Sequence, residues 1–187
     1  MADVAFATGD ALRRAGIAAV LTGGACANFY SDGEYQSFDT DFVLARPSST
    51  KDIDTALMGL GFVRKGDRYV HPLARYYVEF PSGPLGIGQD SEIRPVWRSR
   101  GGARTLALSP TDACRDRLAA FYHWKDRQAL SAAVGIAVRN RVSLAKVHFW
   151  SQREGHPEGY DTFLSELRQA RMAKRQRGKV RRTPSEG

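Results

Sequence analysis

Two like charges one residue apart inside an apolar strand constrain this chain more than anything else in it. Asp39 and Asp41 occupy Phe38-Asp39-Thr40-Asp41-Phe42-Val43-Leu44. In a strand that spacing sends both carboxylates to one face, and Phe38, Thr40 and Phe42 to the other. Carboxylates this close repel unless a cation lies between them. Oxygen donors alone suit a hard ion, Mg²⁺ or Mn²⁺, which keeps some of its water and takes phosphate oxygens from a substrate. Upstream, Ile17-Ala18-Ala19-Val20-Leu21-Thr22 is a short apolar run ended by Gly23-Gly24, which reads as a buried strand entering a turn. The glycines let backbone approach a ligand closely. A helix over Ala25-Cys26-Ala27-Asn28-Phe29-Tyr30 would then turn free N–H groups toward a phosphate. A phosphate cradle and a carboxylate pair are thus expected at one edge of one sheet.

The other periodicities predict an α/β region followed by helices. Residues 3–15 carry a helical stripe stopped at Gly16, interrupted by Thr8 and weakened by Gly9. The aspartate strand is expected over 35–45. Ser48-Ser49-Thr50 caps a helix that ends at Gly61. Residues 62–80 read as strands with a turn at Lys65-Gly66-Asp67, 81–88 as a Pro/Gly loop, and 92–100 and 103–109 as further strands. Ser109-Pro110-Thr111-Asp112 then starts a helix, with serine as N-cap, proline in the first turn and an acid near the positive dipole end. Further helices are expected over 126–138, 143–153 and 158–176. The predicted organisation is a region 1–108 with an α/β (α+β) mixed sheet, a helical region 109–172, and a basic, disordered tail 173–187.

Charge supports that division. The chain of 187 residues carries a net charge of +8. Residues 171–187 hold seven Lys/Arg against one Glu, so the tail accounts for +6 and the body for +2. A basic tail of this kind attracts RNA or other phosphates when it does anything beyond staying solvated. No apolar run reaches the roughly 18 residues of a membrane span, and the first 20 residues contain Asp3 and Asp10 without a basic start. With only Cys26 and Cys114, a reducing cytoplasm is the expected location, and His71, His123, His148 and His156 stand at no zinc-binding spacing from them.

Gly23-Gly24 followed by Asp39-Thr40-Asp41-Phe42 resembles the signature of the nucleotidyltransferase superfamily with the polymerase-beta-type fold. The resemblance extends over most of residues 15–140 and is closest to small bacterial proteins of the AbiEii/MenT toxin-like branch. It implies a nucleotidyltransferase that moves an NMP from an NTP to an acceptor hydroxyl, with the glycines contacting the triphosphate and the aspartates holding Mg²⁺ or Mn²⁺. It departs from the family at three points: Gly24 stands where a serine is common, the gap of 14 residues from 25 to 38 is long, and Thr40 replaces an apolar residue. Two-metal transfer asks for a third carboxylate. Glu79, between apolar Val78 and Phe80, is the choice, with Asp90 and Glu92 as rivals. The toxin-like branch has a basic motif that grips nucleotide phosphates, which carries over to Arg117 and Lys125, with Asp126 as a further candidate. Arg117 shares a helical face with Phe121 and Trp124, while His123 reads as a surface residue. RNA, in particular tRNA, is the expected acceptor, with a protein hydroxyl or a small molecule as alternatives. The toxin-like resemblance adds a cognate antitoxin as an expected partner. The alternative, suggested by Gly24, is a catalytically silent module that keeps the fold and binds RNA or a partner protein.

Overall fold

The computed structural model describes residues 1–180, with side chains through 176. Among the described residues, seven strands form one mixed sheet in the order β3-β4-β5-β2-β1-β7-β6. In chain order the elements are α1 (Ala2–Arg14), β1 (Ala19–Leu21), α2 (Gly23–Tyr30), β2 (Asp39–Leu44), α3 (Thr50–Met58), β3 (Val63–Lys65), β4 (Arg68–His71), β5 (Ala74–Glu79), β6 (Val96–Arg100) and β7 (Ala103–Ala107). The helices α4 (Pro110–Trp124), α5 (Arg127–Arg139), α6 (Leu144–Arg153) and α7 (Pro157–Val180) follow. This is the mixed α/β sheet with a helical C-terminal part that the periodicities predict. Among the described residues no helix is long and apolar enough to cross a membrane.

Three features of this fold position the site. β1 lies antiparallel to β2 and parallel to β7, and β2 lies parallel to β5, so strands distant in sequence meet at the centre. Ser109 caps α4 as expected, its Oγ accepting from Asp112 N at 3.1 Å. The Tyr30 hydroxyl donates to Leu108 O at 2.8 Å, tying the end of α2 to the end of β7.

The structure departs from the expected elements at several places, each with a local cause. β2 begins at Asp39 rather than 35, because Ser31 Oγ accepts from Tyr35 N at 3.2 Å and Asn28 Nδ2 donates to Tyr35 O, holding that segment against α2. β6 begins at Val96, after Pro95, which lacks the N–H a ladder needs. Gly9 does not interrupt α1; it lies where the helix crosses the sheet, and a Cβ there would overlap Thr105 of β7. α7 runs to Val180, four residues past the expected end. Arg171 donates to Ala137 O at 3.2 Å and Lys174 to Val138 O at 3.4 Å, so two of the tail's cations sit on the closing carbonyls of α5, where cations are favoured. Residues 181–187 of the expected tail lie outside the described residues.

Candidate active site

The parallel pairing of β2 with β5 sets Asp39 opposite Tyr77, Thr40 opposite Val78 and Asp41 opposite Glu79. Alternation then divides the two strands. Thr40, Phe42 and Val78 are buried toward α1, where Phe42 reaches Gly9. Asp39, Asp41 and Glu79 project from the other face. Each offers a carboxylate oxygen, and the three oxygens lie within 4.8 Å of one another. Asp90 and Glu92 are elsewhere. Asp90 is held by Arg115 and by Arg153, the latter at 3.0 Å, and both acids line a separate pocket against α4 and α6.

Burial and then the Asp39 charge push the Asp41 carboxyl from 3.8 up to about 7, with Glu79 and Asp116 adding to the rise and Arg117 opposing it. The cluster therefore holds more negative charge than its surroundings neutralise. An oxygen-only donor set with that excess fits a hard divalent ion.

The glycine pair packs directly on this cluster. Gly23 has φ +61°, and a Cβ on it would overlap the Asp41 carboxylate, so a side chain is excluded twice over. Gly24 has ordinary backbone, but a Cβ there would lie 2.6 Å from Ser37 Oγ and 3.2 Å from the Tyr35 ring. The space a serine side chain would use at position 24 is thus already filled by the hydroxyl of Ser37, which donates to Asp39 Oδ1. Sequence reasoning missed Ser37, although the alternation that pairs Asp39 with Asp41 extends back to it.

A cleft of about 330 Å³ leads away from Asp41 and Gly23, walled by Pro81, by residues 84–88 and by Asp116, Arg117, Ala120 and Trp124 of α4. Arg117 donates through Nε and Nη2 to Asp116 Oδ2 at 2.9 and 2.8 Å. Burial works against its charge, yet Asp116 and Tyr35 carry its pKa above the ordinary value. Asp116 was not anticipated. Lys125 does not line the cleft. It is the left-handed residue at φ 54° that closes α4, and Asp126 caps α5 by accepting from Gln128 N at 2.8 Å and Ala129 N at 3.1 Å. Phe121 leaves the cleft as well and packs beside Arg127, while His123 lies edge-on to His156. Cys26 and Cys114 are fully buried, and burial pushes both thiols well above their ordinary value.

No family model and no curated protein matches the chain. A solved structure does: an antigenic nucleotidyltransferase-like protein from Paracoccidioides brasiliensis, 17% identical, with a TM-score of 0.57 over 92% of this chain and 88% of that one. The fold is nucleotidyltransferase-like. At this identity the likeness concerns the course of the backbone, and what the site does rests on its own residues.

Proposed function

We propose that this protein is a nucleotidyltransferase, dependent on Mg²⁺ or Mn²⁺, that transfers an NMP from an NTP to an acceptor hydroxyl, with RNA as the acceptor class. The observation that carries the reading is the convergence of three carboxylates, from two strands far apart in sequence, beside a glycine turn that opens a helix. A divalent ion held by Asp39, Asp41 and Glu79 would neutralise phosphate charge and polarise the α-phosphorus. Gly23 and Gly24 bring backbone N–H groups of α2 to the phosphates that depart as pyrophosphate. Ser37 keeps Asp39 oriented through its hydroxyl, which fills the space beside Gly24. Glu79 takes the proton as the acceptor oxygen attacks. Arg117, with its charge maintained by Asp116, faces the incoming nucleotide from α4. The basic C-terminal residues add long-range attraction for RNA, and a toxin-like role with a cognate antitoxin is the corresponding biological context.

The test is to incubate the protein with each α-labelled NTP, Mg²⁺ and total RNA, and to resolve the products on a denaturing gel. Label appearing in RNA, lost on chelation and in Asp39→Asn, supports the reading. Absence of transfer to RNA with every NTP, at protein concentrations that bind nucleotide, would refute it.

A further inference from the structure

The carboxylate cluster has two flanks of different chemistry. Toward β1 lie Gly23, the start of α2 and the cleft under α4. Toward the opposite side lie β5 and then β4. Arg68 of β4 stands directly across from Glu79 in the antiparallel ladder and therefore shares its face. Tyr77 precedes Glu79 by two residues, so it shares that face too, opposite Asp39. The Arg68 guanidinium carbon lies 4.9 Å from the centroid of the Tyr77 ring. Its ion pair is a long one, 3.9 Å to exposed Asp67, and not to Glu79.

Neighbouring strands lie about 4.8 Å apart, which puts β4 roughly 10 Å from β2 and farther still from the glycine turn. A triphosphate seated at Gly23 and Gly24 would lie on the side of the cluster away from β4. The flank that Arg68 occupies is the one left for the acceptor. We propose that Arg68 and Tyr77 form the acceptor flank and receive the terminal nucleoside of single-stranded RNA. The guanidinium contacts the phosphate before that nucleoside, its base packs against the Arg68–Tyr77 pair, and its ribose hydroxyl meets Glu79. Arginine's planar fork matches phosphate, and an aromatic face accepts any unpaired base. This assignment rests on the transferase reading above.

The experiment measures anisotropy of a fluorescent single-stranded RNA oligonucleotide across a salt series, for the full chain and for Arg68→Gln, Tyr77→Ala and Tyr77→Phe. Binding of Mg²⁺–NTP is followed in parallel by calorimetry. Arg68→Gln should weaken RNA binding about tenfold and lower the salt slope by about one. Tyr77→Ala should weaken it about tenfold with the slope unchanged, and Tyr77→Phe should bind as the parent does. None of the three should alter NTP affinity. Unchanged RNA affinity in Arg68→Gln, whose exposed side chain makes misfolding no explanation, would overturn the assignment; so would loss of NTP binding in that variant. An unaltered protein that binds no NTP would instead refute the transferase reading, a result seen independently of the RNA titration.

Discussion

Replacing Asp41 by asparagine removes one charge from the cluster and keeps the shape of the side chain. In the metal-free protein Asp41 is held at about 7 against an ordinary 3.8, by burial first and by Asp39 second. An acid raised in this way keeps its proton in the folded chain after the unfolded chain has lost it. Between about pH 4 and 7 the folded state therefore binds more protons, and stability falls as pH rises through that window. A tenfold difference in proton affinity is about 1.4 kcal/mol, so the gap sets a ceiling of roughly 4 kcal/mol above pH 7. Asp41 is only partly buried, and water screening reduces the expected figure to about 2–3 kcal/mol. Asp41→Asn should accordingly be more stable than the parent by about that amount at pH 8 in chelator, with the difference vanishing near pH 4. Urea unfolding of both proteins from pH 4 to 8 measures it, and Mg²⁺ or Mn²⁺ should close the gap by stabilising the parent alone. A variant no more stable than the parent at pH 8, or a difference that does not change with pH, would refute the reasoning.

Glu79→Gln should retain nucleotide affinity, held by the aspartates and the glycine turn, while transfer falls by about 10²-fold or more, read as single-turnover rates against calorimetric affinities. Gly24→Ser should cost about 1–3 kcal/mol, because its Cβ meets Ser37 at 2.6–2.7 Å, and Gly24→Ser combined with Ser37→Gly should recover most of that in thermal unfolding. The Thr40 hydroxyl is buried without a hydrogen-bond partner among the described residues, so Thr40→Val should raise stability by about 1 kcal/mol without changing nucleotide binding.

How much of this could be read from the chain depended on the range of the physics involved. The i, i+2 aspartates were legible because strand geometry alone assigns their face. Ser109 and Pro110 were legible because a helix start is local chemistry. Glu79 was visible only as an acid wedged between Val78 and Phe80. That it arrives opposite Asp41 depends on parallel pairing of β2 with β5, which no local pattern encodes. Lys125 was carried over from the toxin-like resemblance, which fixes a position in the chain and not where it faces; Lys125 does not line the cleft. The helix expected from 126 does start there, and the left-handed backbone at Lys125 is the local feature that the pattern did not encode. Gly9 looked like a weak point in a helix, yet its lack of a side chain is what lets α1 cross β7 against Thr105. Ser37 and Arg68 went unread for a related reason: each matters through what lies across from it in space.

The account stands on Asp39, Asp41 and Glu79 holding one metal–nucleotide site. The most direct measurement is anomalous diffraction from crystals grown with Mn²⁺ and a non-hydrolysable NTP analogue. The predicted result is manganese within coordination distance of Asp39, Asp41 and Glu79, with the analogue's phosphates toward Gly23 and Gly24, and no such peak in crystals of Asp41→Asn. Nucleotide bound away from this cluster, or manganese ligated there without Glu79, would contradict it.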